Sequence, residues 1–304
     1  MNAPCGVLLV AGPTASGKTE LAIRLAQTFD AEIVGADSRQ IYRGMPVGTA
    51  APSPAQLGIA RHHLIGFLDP WERYSAARFS ADATHAVLDI HARGKRAIVV
   101  GGTGFYIRAL TGGVDLAAQY DPLLRERLAY EARVHDLSFL YEWLRVRDPR
   151  RAAEVAPQDG YRVLRALEIA LAPPHAVLRT QEVPSLRSSG IPFAKVFVNL
   201  DADLLNERIA ARADAMLDRG FLDEAERIGN NATASSAVGY PAANAFLRGW
   251  TSRAELRTLL VRATRRYAKR QVTWFRSEAD TTWLSSSEAF ERLSAIAREK
   301  LGWA

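Results

Sequence analysis

Residues 7–29 read VLLVAGPTASGKTELAIRLAQTF. Val7 to Ala11 is an apolar run of strand length. Gly12 to Thr19 (GPTASGKT) fits G-x-x-x-x-G-K-[ST], with Pro13, Thr14, Ala15 and Ser16 in the four variable positions. Thr19 to Phe29 then sets Leu21, Ala22, Leu25 and Ala26 on one helical face. Strand, glycine-bearing turn and amphipathic helix, in that order, predict a phosphate-binding loop. Gly12 and Gly17 let the backbone turn its N–H groups around phosphate oxygens. The helix that follows adds the positive end of its dipole, Lys18 adds a point charge, and the Thr19 hydroxyl can ligate Mg2+. The motif specifies a polyphosphate. It leaves open which one, and whether a phosphoryl group moves.

Further along, Glu32 to Ala36 and Arg96 to Val100 read as strands, separated by a helical pattern over Ala76 to Ala92. Lys195 to Leu200 and Thr281 to Leu284 add two more. The alternation predicts an α/β fold, a P-loop-type parallel sheet flanked by helices. Between about Tyr120 and Leu171 the strand signal fades, and Leu123, Leu128, Leu137, Leu140 and Leu144 recur at helical spacing until Pro173-Pro174 breaks the pattern. The expected organisation is a catalytic core of residues 1–115 with 195–304, and an all-helical insertion of residues 116–194. Gly229 to Ser236 (GNNATASS) reads as a polar, mobile loop.

Ligands of open parallel sheets bind beyond the carboxyl ends of the strands. Three such ends are identifiable: the phosphate loop, Asp37-Ser38-Arg39-Gln40, and Gly101-Gly102-Thr103-Gly104. Asp37 is then a carboxylate near the phosphate site, placed to bind Mg2+, to accept a proton from a nucleophile, or merely to cap a helix. Thr103 lies in a turn whose glycines permit close backbone approach. An enzyme that moves phosphoryl groups usually closes a second apolar strand with an Asp for Mg2+. Here the Ile98-Val99-Val100 strand ends in glycine, and only Asp201, after Val196 to Leu200, imitates that residue.

The chain has 304 residues, 48% of them hydrophobic and 24% charged, with a formal net charge of +6 and a pI near 9.6. A basic balance suits an acidic partner such as nucleic acid. The positive residues are grouped. From Arg248 to Arg276 there are nine Lys/Arg and one acid, Glu255. The middle segment adds Arg125, Arg127, Arg133, Arg145, Arg147, Arg150, Arg151, Arg162 and Arg165. Tyr106, Tyr161 and Trp274 can stack on bases, but core packing is the favoured reading of each. The single cysteine, Cys5, excludes an intramolecular disulfide and suits a reduced cytoplasm. His62-His63 has no third ligand at matching spacing. No apolar run reaches the roughly 18 residues of a membrane span, the N-terminal stretch reads as a strand rather than a signal peptide, and nothing demands more than a monomer.

Taken together, these blocks resemble the bacterial tRNA dimethylallyltransferases. The resemblance runs in order through Gly12 to Thr19, Asp37 to Thr49 (DSRQIYRGMPVGT) and Arg61 to Ile65 (RHHLI). Asp69-Pro70, Tyr74-Ser75-Ala76 and Gly101 to Leu110 (GGTGFYIRAL) follow. Arg162 to Ile169 (RVLRALEI), Val238-Gly239-Tyr240 and Thr264 to Arg276 (TRRYAKRQVTWFR) complete it. The resemblance implies transfer of a dimethylallyl group from its diphosphate, with Mg2+, to N6 of the adenosine beside the anticodon of tRNA. It implies that Thr14, Ser16, Gly17, Lys18 and Thr19 grip the diphosphate, with Arg212 as a further ligand. Asp37 becomes the general base, with Thr103 beside the reacting centre and Arg125 touching tRNA or closing the site. Asp37 to Gln40 and Tyr161, Arg162, Val163, Leu164 and Arg165 would contact the anticodon stem-loop. Two features depart from the pattern: Pro241-Ala242 follows Val238-Gly239-Tyr240, where a long polar side chain is usual, and the segment from Gly220 to Val238 is short. A free-nucleotide prenyltransferase acting on AMP, a P-loop small-molecule kinase and a non-catalytic RNA-binding protein are the rival readings. The helical insertion and the arginine clusters favour tRNA, because a free nucleotide needs neither.

Overall fold

The protein is described by a computed structural model covering residues 5–114, 121–172 and 183–304. The chain divides into two compact units, Met1–Val114 with Pro184–Ala304, and Asp115–Val183.

The first unit is built on a six-stranded sheet: β1 (Val7–Ala11), β2 (Ala31–Gly35), β3 (His62–His63), β4 (Arg96–Gly101), β5 (Phe193–Asn199) and β6 (Thr281–Ser285). The order is β3-β2-β4-β1-β5-β6, and every pairing is parallel. All five residues of β1 are buried, which explains its unbroken apolar sequence: a parallel strand covered on both faces has no polar side to alternate with. One cover is α1 (Lys18–Phe29). Its Ala22, Leu25, Ala26 and Phe29 pack with Leu8 and Val10 of β1, and with Leu293 and Trp303 from the end of the chain. The two-residue edge strand β3 was not expected. It is too short to carry a hydrophobic period, and His63 is held instead by its Nε2 contact with Glu32 Oε2 at 2.7 Å.

The sheet order also locates the crevice. From β1 the chain crosses to β2 on one side, and from β4 it crosses to β5 on the other. The ends of β2, β4 and β1 are therefore neighbours beside a switch in direction, the position at which α/β sheets bind ligands. Residues 184–194, read from sequence as part of the insertion, belong to the first unit. Val7 N–H donates to Pro192 O at 2.9 Å, Leu186 N–H donates to Leu110 O at 2.8 Å, and Leu186 and Ile191 are buried. The 229–236 stretch is likewise anchored. Ala234 is buried and donates to Pro70 O at 3.0 Å, and Thr233 Oγ1 donates to Trp71 O at 2.8 Å.

The second unit contains α2 (Pro122–Val134), α3 (Leu137–Arg147), α4 (Pro149–Glu154) and α5 (Gly160–Leu171). Each starts on an aspartate, Asp121, Asp136, Asp148 and Asp159, whose carboxylate accepts N–H groups of the first turn. Leu128, Leu140, Leu144, Val163 and Leu167 form its core. Leu123, which the helical spacing had placed on the same face, is exposed. The expected break at Pro173-Pro174 lies outside the described residues. Among the described residues no helix is long and apolar enough to cross a membrane.

Candidate active site

The phosphate loop takes the shape its residues permit. Ala15 (φ 66) and Gly17 (φ 85) both adopt positive φ, turning successive amides inward as in an anion-binding nest. For Ala15 this conformation is strained, of the kind found at functional sites. Gly17 stands at the N-cap of α1 and supplies no side-chain cap, so the helix start is left for an anion. Ser16 Oγ is buried without a hydrogen-bond partner. Lys18 Nζ donates to Pro13 O at 3.2 Å. Desolvation brings its pKa down to about 8, partly opposed by the charge of Asp37 and reinforced by that of Arg212.

The ends of β2 and β4 are stitched together. Ala36 N–H donates to Val100 O at 2.7 Å and Thr103 N–H donates to Ala36 O at 3.2 Å. A Cβ at Gly101 would lie 2.0 Å from Ala36 O, so only glycine allows this approach. Ser38 N–H donates to Thr103 Oγ1 at 2.9 Å, and Thr103 Oγ1 donates to Ser38 Oγ at 3.3 Å. Asp37 Oδ1 accepts from Arg39 N–H at 2.8 Å and Gln40 N–H at 3.4 Å, a local turn rather than a helix cap.

These ends open on a cavity of about 200 Å³ lined by Thr14, Asp37, Ser38, Arg39 and Arg212, and also by the apolar Ile209, Met216 and Leu260. Among the described residues Asp37 is its sole acid. Arg212, from the helix Ala202–Asp218, donates through Nη1 to Thr14 Oγ1 at 3.0 Å and through Nη2 to Thr49 O at 3.4 Å. Burial lowers its pKa against the opposing pull of Asp37. Thr103 does not line the cavity; it acts through Ser38 and through a side-chain hydrogen bond with Tyr267. Thr19 lines a separate void of about 10 Å³, the space of one water, with Gln40 and His62. Gln40 is committed internally, donating to Thr49 O and Ala50 O at 3.2 and 3.0 Å.

In the helical unit, Tyr161 is 73% exposed, and the Arg162 side chain is 64% exposed while pairing with Asp159 at 2.9 Å. Val163 corrects the sequence reading: it is 0% exposed and belongs to the unit's core, so its side chain is closed to RNA. Leu164 packs against that core. Arg125 and Arg165 both converge on the buried Glu168.

Residues 40–278 match the family model described as IPP transferase. The chain belongs to the IPP transferase family. It is 38% identical over 301 residues to the tRNA dimethylallyltransferase of Geobacter sulfurreducens, covering 97% of each. Its structure resembles the tRNA isopentenylpyrophosphate transferase of Bacillus halodurans, with a TM-score of 0.69, 32% identity and 97% of each chain covered. It also resembles a eukaryotic dimethylallyltransferase acting on tRNA, with a TM-score of 0.73, 27% identity, and 96% of this chain and 78% of that one covered.

Beyond the residues anticipated for this IPP transferase family member, the site depends on several that sequence reasoning left unassigned. Arg208, one turn before Arg212, reaches toward Ser16 O at 3.5 Å; its spacing from Arg212 was the available signal. Tyr267 lines the cavity beside Asp37, and burial and that charge raise its phenol pKa. Glu224, 1% exposed, accepts from Val47 N–H at 2.9 Å, Gly48 N–H at 2.6 Å and Tyr240 Oη at 2.7 Å. It thereby fixes the loop that brings Gly48 and Thr49 to the cavity. Glu224→Ala leaves the buried Tyr240 hydroxyl and the half-buried Val47 and Gly48 amides without their acceptor. A loss of about 3 kcal/mol in unfolding free energy is expected from chemical denaturation. An unchanged denaturation midpoint would show that the loop is held by other means.

Proposed function

We propose that the protein transfers a dimethylallyl group from dimethylallyl diphosphate to N6 of the adenosine adjacent to the anticodon of tRNA, releasing diphosphate. One observation carries the reading. Among the described residues a single carboxylate, Asp37, faces a cavity that also offers Thr14 and Arg212 to an anion and Ile209, Met216 and Leu260 to a hydrocarbon. The relatives' names, tRNA dimethylallyltransferase and dimethylallyltransferase acting on tRNA, support the same substrates.

The adenine N6 lone pair is delocalised into the ring and attacks weakly. As the N6–carbon bond forms and the allylic carbon–oxygen bond breaks, the electron pair leaves on diphosphate and the N6 proton passes to Asp37. Lys18, the loop amides and Arg212 stabilise the charge where it develops. The apolar wall keeps water from the allylic carbon. Mg2+ fits this design. Ser16 Oγ is an unpartnered buried ligand, and no group of three or more acidic, His or Cys side chains that could hold a metal exists among the described residues. A cation would therefore draw most of its oxygens from diphosphate and water, with the unpartnered Ser16 hydroxyl as the protein's oxygen. When bound it neutralises diphosphate charge. Extruding the adenosine costs a few kcal/mol. Contacts to tRNA from Tyr161 and Arg162, and from the exposed Arg262, Arg265, Arg266, Lys269 and Arg270, offset that cost.

The kinase reading needs a second carboxylate for the metal. Asp201 does not serve: it is exposed and its Oδ1 accepts from Asp203 and Leu204 N–H groups. Diphosphate release is therefore expected to require tRNA and dimethylallyl diphosphate together. ATP turnover without either would reinstate the kinase. Arg162→Ala is expected to weaken tRNA binding and to reduce the slope of log K against log salt by about one. A slope equal to that of the wild type would remove Arg162 from phosphate contact.

A further inference from the structure

The basic helix Arg253–Arg276 carries a buried amide in the midst of its charges. Gln271 is 4% exposed. Its Oε1 accepts from Thr14 N–H at 2.8 Å and its Nε2 donates to Gly102 O at 3.0 Å. One side chain thus joins the phosphate loop to the turn that carries Thr103, across 257 and 169 residues of sequence. Among side chains in their neutral-pH forms, only an amide presents an uncharged acceptor and donor on adjacent atoms of one planar group, and asparagine is one carbon shorter. The orientation is fixed by its partners, since a reversed amide would set oxygen against Gly102 O and nitrogen against Thr14 N–H.

The contact is tight on both sides. A Cβ at Gly102 would lie 1.9 Å from Gln271 Nε2, and a Cβ at Gly104 would lie 2.1 Å from Trp274 Cδ1, three residues further along the helix. The glycines that sequence reading assigned to close backbone approach are therefore required by a helix packed onto the turn. Thr14 N–H, being taken, is withdrawn from the phosphate cradle, and Thr14 presents its hydroxyl toward Arg212 instead.

We propose that Gln271 is a positioning residue for the transfer reaction. It holds Thr14 and the Ser38–Thr103 pair in register, so that the departing diphosphate and the attacking N6 lie in line across the allylic carbon, with Asp37 placed to take the N6 proton. Gln271 touches no reacting atom and acts only through these two loops. The proposal rests on the reaction proposed above. Misplacing reacting groups by about 1 Å costs on the order of 10²-fold in rate.

The test measures kcat and KM for labelled transfer to tRNA by wild type, Gln271→Met and Gln271→Glu across a range of pH. Methionine keeps the volume and makes neither bond. A kcat about 10²-fold lower, with KM for tRNA little changed, is expected at every pH. Glutamate is different. Protonated, it restores both the acceptor and the donor; ionised, it opposes Gly102 O. Burial raises the pKa of such a carboxyl. Gln271→Glu should therefore gain activity relative to wild type as pH is lowered, a response that loss of packing alone would not give. A folded Gln271→Met enzyme with wild-type kcat overturns the proposal. So does a Gln271→Glu enzyme whose activity relative to wild type does not change with pH, and this arm decides the matter if Gln271→Met does not fold. An inactive wild type would overturn the reaction and the proposal together, whereas an active wild type beside unaffected variants overturns the positioning role alone.

Discussion

Asp37→Asn is expected to lower the rate of dimethylallyl transfer by about 10²–10⁴-fold, the usual contribution of a general base, while tRNA binding persists. Asparagine is the informative replacement. Its Oδ1 can still accept from Arg39 and Gln40 N–H groups, so the turn after β2 is kept. Its volume still fills the same part of the cavity wall. What it loses is the capacity to take the N6 proton, together with the negative charge felt by Lys18, Arg212 and Tyr267. Alanine would remove the turn as well and confuse the two effects. Turnover close to wild type in Asp37→Asn, measured in single-turnover reactions, would remove Asp37 as the base.

Lys18→Met is expected to lower kcat by about 10²–10³-fold, in the range found when one preorganised group facing developing charge is deleted. The loss is larger than an exposed lysine would give, because Lys18 works in a site where desolvation already depresses its pKa to about 8. The sign of the pH effect follows. The ammonium form is complete below that value and is lost as pH rises through it. Affinity for inorganic diphosphate should therefore weaken above about pH 8 in the wild type relative to Lys18→Met, in which the ligand's own titration alone remains. Calorimetric titration with diphosphate across that range reads both. A wild-type affinity with no inflection there would mean that Lys18 is not the charge being titrated.

Much of this site is written locally, and that part was legible. The phosphate loop, the carboxylate after β2 and the glycine turn after β4 each depend on a few adjacent residues and on the rule that parallel strands share one ligand-binding end. The sheet order was not legible, because it is decided by which strands pack side by side. The edge strand at His62–His63 was missed because two residues show no period. Val163 was misassigned for a related reason. It lies inside a block carried over whole from the family, and only the helical face on which it sits separates it from its exposed neighbours Tyr161 and Arg162. Gln271 and Glu224 bond to partners more than a hundred residues away, so no local pattern announces them. Thr19 and Thr103 satisfied the motif, yet both stand off the cavity wall. A motif gives the residue type, and the surrounding structure decides which surface that residue reaches.

The most direct test of the central claim is incubation of the purified protein with Mg2+ and radiolabelled dimethylallyl diphosphate, in parallel with unmodified tRNA and with AMP. Label in tRNA, removed by Asp37→Asn and absent from AMP, is the predicted result. Label in AMP, or in neither acceptor, would contradict it.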